Sequence, residues 1–268
     1  LSCVLREVEG SHLFVSATDL EISLRGRYEA NVSREGAVTA PAKKLFEIVR
    51  ELSDGDVRIT AEEGGWVRIE QKRSRFKVMS LPKEDFPTNT QGDEGERIEF
   101  DPKTLTEMIE KTGFAMSHDQ TRHALNGILW EMTPIGGGEV ECRMVGTDGH
   151  RLAYIKRLCR GEVSEVKSAI VPRKAIVELK RLISESGDQK IEVFLQDNRM
   201  SFRLGENFMV TRLVEGQFPD YQQVIPKEIL RKAIVDREAF YRAVRRVSTL
   251  STDRSTPLKF TFKEGGVM

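Results

Sequence analysis

The chain is 268 residues long, 31% charged and 39% hydrophobic, the balance of a soluble globular protein rather than a disordered or fibrous one. Its 42 basic and 42 acidic residues cancel to a net charge of zero, so any basic binding surface must be offset by an acidic one elsewhere. No stretch approaches the roughly 18 consecutive apolar residues that span a bilayer, no secretory signal is visible, and Cys3, Cys142 and Cys159 lack the spacing of a disulfide framework or a zinc site, which together point to the cytoplasm.

Taken from the N-terminal end, the first helical pattern covers 41–52, with Leu45, Phe46, Val49 and Leu52 at helical spacing. Alternating strands follow over 57–60, 66–70 and 75–78, parted by the turn signals Ser53-Asp54-Gly55-Asp56 and Glu63-Gly64-Gly65. A second helix is predicted over 102–112, where Leu105, Met108 and Ile109 form the apolar stripe, Asp101 is placed to cap the N-terminus and Pro102 sits in the first turn. The glycine-rich Ile135-Gly136-Gly137-Gly138-Glu139 lacks the Gly-Lys-Ser/Thr ending of a phosphate loop and reads as a hairpin turn between two strands. A third helix over 172–183 uses Ile176, Val177, Leu179 and Leu182, and strands over 190–195, 199–204 and 208–213 come after it. Strands joined by tight turns and interrupted by isolated helices indicate an α+β fold with antiparallel sheets.

These elements are written more than once. Ala40-Pro41-Ala42-Lys43-Lys44-Leu45, closing at Asp85-Phe86-Pro87, returns about 130 residues later as Val171-Pro172-Arg173-Lys174-Ala175-Ile176, closing at Gln217-Phe218-Pro219-Asp220. Thr18-Asp19 returns as Thr147-Asp148 by a similar shift, and Leu1-Ser2-Cys3-Val4-Leu5 aligns with Leu125-Asn126-Gly127-Ile128-Leu129. A third copy opens at Val235-Asp236-Arg237-Glu238-Ala239-Phe240, matching Phe100-Asp101-Pro102-Lys103-Thr104-Leu105. A repeat of this length is a domain and not a solenoid unit. The expected organisation is three units of one fold at 1–93, 94–228 and 229–268, the first lacking its N-terminal part and the third its C-terminal part.

Basic residues recur on the non-core faces of the helices: Lys43, Lys44 and Arg50 in the first unit, Arg173, Lys174, Lys180 and Arg181 in the second, Arg242, Arg245 and Arg246 in the third. One such face is ordinary solvated surface; three at equivalent places, brought onto a common surface by rotation, would concentrate positive charge against a phosphate backbone. The most distinctive string is Thr147-Asp148-Gly149-His150-Arg151-Leu152. An enzyme reading makes Asp148 and His150 an acid/base pair, but no nucleophile or third partner accompanies them in sequence. The first unit keeps Thr18-Asp19 and has Leu20-Glu21 in place of Gly149-His150, so Thr-Asp reads as a structural strand end and Gly-His-Arg as particular to the second unit. His12, His118, His123 and His150 do not make a metal-ligand spacing, the Phe-Pro corners at Phe86 and Phe218 read as packing devices, and no cofactor is expected.

The motifs in order identify a family. Val171-Pro172-Arg173-Lys174, Thr147-Asp148-Gly149-His150-Arg151-Leu152-Ala153, Phe218-Pro219-Asp220-Tyr221 and Leu125-Asn126-Gly127, on tandem α+β units, resemble the bacterial DNA polymerase III beta subunit family, the sliding clamps, over essentially the whole chain. The resemblance implies a homodimer closed into a ring of six similar domains, with antiparallel sheet outside and helices lining a central hole. It implies no catalysis: the ring encircles double-stranded DNA without regard to sequence and tethers the replicative polymerase. DNA-facing roles would then fall to Lys43, Lys44, Arg50, Arg122, Arg173, Lys174, Arg181, Arg242 and Arg246. A peptide-binding groove would be built from Leu125, Thr147, Gly149, His150, Arg151, Leu152, Pro219 and Val224, and would take short linear motifs of the DNA polymerase III catalytic subunit, the clamp loader, other polymerases and repair proteins. The resemblance also places Phe76 and Leu250 at the dimer contact, positions that equally suit core residues. This chain departs from the family pattern at Gln223, where an arginine is common, and at His123 and Ala124, where tyrosines are common. The alternative to a clamp is a repeat adaptor that binds peptide motifs without encircling DNA.

Overall fold

Strands with one apolar face must pair their backbones while burying that face, and twelve of them do so in one antiparallel sheet. The computed structural model describes residues 3–87, 95–249, 258–263 and 265–268. The first repeat contributes β1 (Cys3–Glu9), β2 (His12–Thr18), β3 (Ile22–Glu29) and β4 (Gly36–Pro41), then helix α1 (Ala42–Glu51). After α1 come β5 (Arg58–Glu62), β6 (Trp66–Gln71) and β7 (Ser74–Met79), which form a separate three-stranded sheet in that order. The second repeat runs β8 (Glu96–Phe100), α2 (Pro102–Gly113), β9 (Gly127–Gly136), β10 (Glu139–Thr147), β11 (Leu152–Glu162) and β12 (Lys167–Pro172). It continues with α3 (Arg173–Glu185), β13 (Ile191–Leu195), β14 (Arg199–Leu204) and β15 (Asn207–Arg212). The large sheet is ordered β12-β9-β10-β11-β8-β13-β14-β15-β3-β2-β1-β4. The last strand of the second repeat therefore pairs with β3 of the first, Thr211 opposite Ile22 and Asn207 opposite Gly26. The α+β class and the antiparallel pairing are as the turn-rich sequence predicts.

Leu1–Pro219 forms one compact unit and Asp220–Met268 another. The second holds α4 (Arg237–Ser248) and the hairpin of β16 (Phe262–Lys263) with β17 (Gly266–Val267). Its helix starts as α2 does. Asp101 caps α2 by accepting the Lys103 N–H at 3.0 Å, and Asp236 caps α4 by accepting the Ala239 N–H at 2.7 Å. Pro41 and Pro172 instead close strands β4 and β12 and stand at the N-cap positions of α1 and α3, so those two helices begin one residue later than their patterns suggested.

The helices differ in how much they bury. On α2, Leu105, Met108 and Ile109 are all buried, as their spacing predicts. On α3, Ile176, Leu179 and Leu182 are buried with Ala175 and Ile183, whereas Val177, expected in the core, is 61% exposed. The larger correction is α1, where Phe46 is 64% and Val49 46% exposed; the stripe that meets the small core of Ala40, Val67, Ile69 and Val78 is Leu45 with Ile48. Phe46 and Val49 lie on the helix's flank, about a quarter-turn from that stripe. The second repeat has a helix at such a flank: α2 lies beside α3, joined by Lys180–Glu110 at 2.8 Å. No helix stands beside α1 among the described residues.

The main core lies under the second repeat, where the Trp130 ring meets Phe100 edge-on at 5.4 Å and Phe202 at 6.1 Å. Gly146 lets β10 approach α2 closely, since a Cβ there would stand 2.4 Å from the Thr112 carbonyl oxygen. Phe86 is buried, as expected of a packing corner, whereas Phe218 is half-buried and it is Tyr221 of the same string that is buried. No helix among the described residues is long and apolar enough to cross a membrane.

Candidate functional site

The two Thr-Asp strings fold into the same turn. In the first repeat, Thr18 Oγ1 donates to the Ile22 carbonyl and accepts the Leu20 N–H, while Asp19 Oδ1 accepts the N–H groups of Glu21 and Ile22 at 3.0 and 2.9 Å. In the second, Thr147 Oγ1 donates to the Arg151 carbonyl and accepts the Gly149 N–H, while Asp148 Oδ1 accepts the N–H groups of His150 and Arg151 at 3.0 and 3.1 Å. The Thr-Asp pair is a strand-end device, as expected, because its side chains satisfy four backbone groups that the strand has stopped pairing.

The third residue of each turn is left-handed: φ is +79° at Leu20 and +88° at Gly149. Glycine takes that conformation without steric cost and leucine does not. Leu20 is 58% exposed and loses little packing if shortened, so Leu20→Gly is expected to raise stability by about 0.5 to 1 kcal/mol. A urea midpoint that falls instead would show that the leucine side chain, not the backbone, decides stability there.

Around the second turn the chain builds a wall. Arg122 donates from Nη1 to the Asp148 carbonyl at 3.2 Å, and Arg151 donates from Nη2 to the Phe114 carbonyl at 2.7 Å with its guanidinium 5.4 Å from the Phe114 ring centroid. Arg173 donates to the Met116 carbonyl at 2.8 Å. Ser117 N–H reaches the Leu125 carbonyl, and Asn126 Nδ2 donates to the Ser117 carbonyl. Thus Leu125, Arg122, Thr147, Gly149, His150, Arg151 and Leu152 lie on two segments stitched together. Thr147 is buried, Leu125 and Leu152 half-buried, His150 and Arg151 exposed. Pro219 is exposed at the end of the first compact unit; Val224 is 67% exposed in the second, where Gln223 Nε2 donates to Asp220 at 2.9 Å. Phe114, exposed beside Arg151, is a member of this wall with no periodicity or motif to announce it.

Asp148 and His150 are not arranged as an acid/base pair in this wall. Asp148 spends one oxygen on two backbone donors and the other on Arg151 Nε at 3.0 Å. Burial pushes its carboxyl pKa up, but these donors outweigh burial and hold it below the usual range. The His150 ring makes no hydrogen bond to Asp148; only the His150 backbone N–H does. Burial, with the charge of Arg151 added, lowers the pKa of Arg173. Among the described residues no group of three or more His, Cys, Asp or Glu side chains is arranged to hold a metal.

The cations expected to face DNA are exposed or half-buried, and most have partners. Lys44 pairs with Glu47 at 2.8 Å, Arg50 with Glu51 at 3.3 Å, Arg181 with Glu178 at 3.0 Å and Glu185 at 2.7 Å, and Arg122 with Asp119 at 3.7 Å. Lys43, Arg242 and Arg246 have no ion pair among the described residues. Lys174 pairs across repeats: its ammonium sits between the carboxylates of Asp19 and Glu21 in the first repeat. Phe76 packs against the small core of the first repeat, and Leu250 lies outside the described residues.

Against known proteins, residues 1–90 match the family described as DNA polymerase III beta subunit, N-terminal domain, and 99–220 match its central domain. The beta sliding clamp of Caulobacter vibrioides is 36% identical over 269 aligned residues, covering all of this chain and 72% of that protein. The beta sliding clamp of Proteus mirabilis is 33% identical, covering 99% of this chain and 71% of that protein. Among solved structures, the sliding clamp of Bartonella birtlesii bound to griselimycin superposes with a TM-score of 0.90 at 37% identity, covering 98% of this chain and 70% of that one.

Proposed function

The chain belongs to the DNA polymerase III beta subunit family, the beta sliding clamps, and we propose that it acts as a ring that surrounds duplex DNA and tethers the replicative polymerase. It is a DNA sliding clamp, a non-catalytic subunit of the polymerase complex. The observation that carries the ring reading is repetition within one sheet. The β15–β3 ladder passes from one repeat to the next without a break, and each repeat carries a basic helix directly after a proline-ended sheet strand, α1 after β4 and α3 after β12.

A ring supplies by topology the grip that base contacts supply elsewhere, so its contacts should be to phosphate and individually weak. Lys43, Lys44, Arg50, Arg122, Arg173, Arg181, Arg242 and Arg246 are proposed to make them. Exposed ion pairs contribute about 0 to 1 kcal/mol, so the pairs at Lys44, Arg50 and Arg181 can exchange a carboxylate for a passing phosphate. Lys174 is left out, because it reaches away from its own helix to Asp19 and Glu21 of the first repeat, whereas Lys44, Arg50 and Arg181 pair within their own helices.

The same reading assigns three domains at 1–93, 94–228 and 229–268, a head-to-tail homodimer and a cytoplasmic location. The dimer contact would use the edge strand β7, which carries Phe76, and the region of Leu250. The wall around Thr147 to Leu152 would dock short motifs from the DNA polymerase III catalytic subunit, the clamp loader, other polymerases and repair proteins. Griselimycin bound to the Bartonella birtlesii clamp supports a ligand-binding role for this fold. The test is topological: the protein is loaded onto nicked circular DNA, which is then linearised. A ring slides off the linear form and stays on the circle, whereas equal retention on both would leave only the peptide-binding adaptor.

A further inference from the structure

Lys174, the second residue of α3, reaches back 155 residues to the Asp19 carboxylate and stands 3.6 Å from Glu21 Oε2. Asp19 is not a loose surface acid. Its Oδ1 is fixed by the Glu21 and Ile22 N–H groups, which leaves Oδ2 aimed out of the turn at the ammonium. The equivalent Asp148 turns its Oδ2 onto Arg151 of its own turn, so the two repeats use one device differently.

The place of this contact gives it meaning. The repeats are joined in the sheet layer by the β15–β3 ladder, extended by the Arg212 N–H to the Glu21 carbonyl at 3.0 Å and the Arg27 N–H to the Glu206 carbonyl at 3.1 Å. The ladder, with Ile22 and Leu24 packed into the main core, holds the repeats side by side, yet the twist between neighbouring strands still ranges over roughly −10 to −35°. Lys174 adds a tie from the N-terminus of α3, off the ladder, to the turn that begins β3. We infer that Lys174 is a positioning residue, a strut that fixes the angle between the first and second repeats, and not a DNA contact. The charges support the geometry: burial pushes the Asp19 carboxyl up, yet the Lys174 ammonium and the two backbone donors bring it below the usual range, while the hydrogen bond to Asp19 raises Lys174. In a protein whose repeats must meet in a ring, a stiff joint keeps opening at other joints.

The test compares Lys174→Met, Asp19→Asn, which keeps the Oδ1 that caps the turn, and the conservative Lys174→Arg by hydrogen exchange at Ile22–Gly26 and Asn207–Thr211. Lys174→Met and Asp19→Asn are each expected to speed exchange there about twofold to fivefold, the range an exposed ion pair allows, and Lys174→Arg to stay at the parent rate. Unchanged exchange in Lys174→Met and Asp19→Asn, or equal acceleration in Lys174→Arg, overturns the strut. A second readout is the slope of log affinity for duplex DNA against log salt, where losing one phosphate contact removes about 0.9. Lys174→Met should leave that slope unchanged; a loss of that size overturns the assignment whatever the exchange rates do. Asp19→Asn discriminates by sign, because a freed DNA-contacting lysine would tighten DNA binding and a strut would not. Failure of the clamp reading looks different, since Lys43→Met and Arg181→Met would then also leave the slope flat.

Discussion

Replacing Arg6 with methionine is expected to stabilise this chain by about 2 kcal/mol, the opposite sign from most core substitutions. Arg6 lies on β1 opposite Val15 of β2 and Val38 of β4, is 4% exposed, and its three guanidinium nitrogens find no hydrogen-bond partner among the described residues. A buried charge without a partner forfeits its hydration and gains nothing in exchange. Burial pushes the Arg6 pKa down to about 10, so at neutral pH the group stays charged and the full cost persists. The sign follows from linkage: the unfolded chain holds the proton to a higher pH than the folded one, so the penalty is complete below about 10 and fades as pH rises from there. Methionine keeps the unbranched stem and drops the charge. The second repeat shows what the position accepts, because Trp130 stands where Arg6 does and packs between Phe100 and Phe202. Urea unfolding of the two proteins decides it. A loss of about 3 to 5 kcal/mol, the cost of stripping one partner from a buried ion pair, would mean that a carboxylate does reach Arg6.

What the sequence could reveal follows from how local each cause is. Asp101 capping α2, and Leu105, Met108 and Ile109 facing the core, are decided within a few residues, and both were legible. The exposure of Phe46 and Val49 was not, because their apolar spacing is sound and only the absence of a neighbouring helix among the described residues leaves them uncovered. At the site, reading Thr147-Asp148 as structure and Gly149-His150-Arg151 as special was half of the physics. The turn's backbone runs through both parts, and Gly149 holds the same left-handed position as Leu20. What differs is the side chains that the shared turn presents. The Lys174–Asp19 pair had no local trace, since helical basic residues look alike whether they face phosphate or a carboxylate from another repeat.

The double variant His150→Ala with Leu152→Ala is expected to weaken binding of a polymerase-derived peptide by about 2 to 3 kcal/mol, roughly 30-fold to 150-fold, with little change in stability. The separation is possible because the turn is held by groups that neither substitution touches: Thr147 Oγ1, Asp148 Oδ1 and the backbone. His150 uses only its N–H in the turn and exposes its ring, and Leu152, half-buried opposite Thr147 at the start of β11, keeps its ladder position as alanine. What is lost is an apolar contact and an aromatic edge on the side of the wall proposed to take the peptide. Thr147→Val is the contrast, since it removes the hydroxyl that bonds the Arg151 carbonyl and the Gly149 N–H and so leaves two backbone groups unsatisfied. That variant should lose stability and affinity together, by about 1 to 3 kcal/mol in stability. Calorimetric titration with the peptide, alongside thermal unfolding, reads both quantities. If the double variant binds as tightly as the parent, the motif docks elsewhere and the turn is structural in both repeats; if it binds weakly while Thr147→Val also fails to fold, the turn is the frame and His150 with Leu152 the surface it presents.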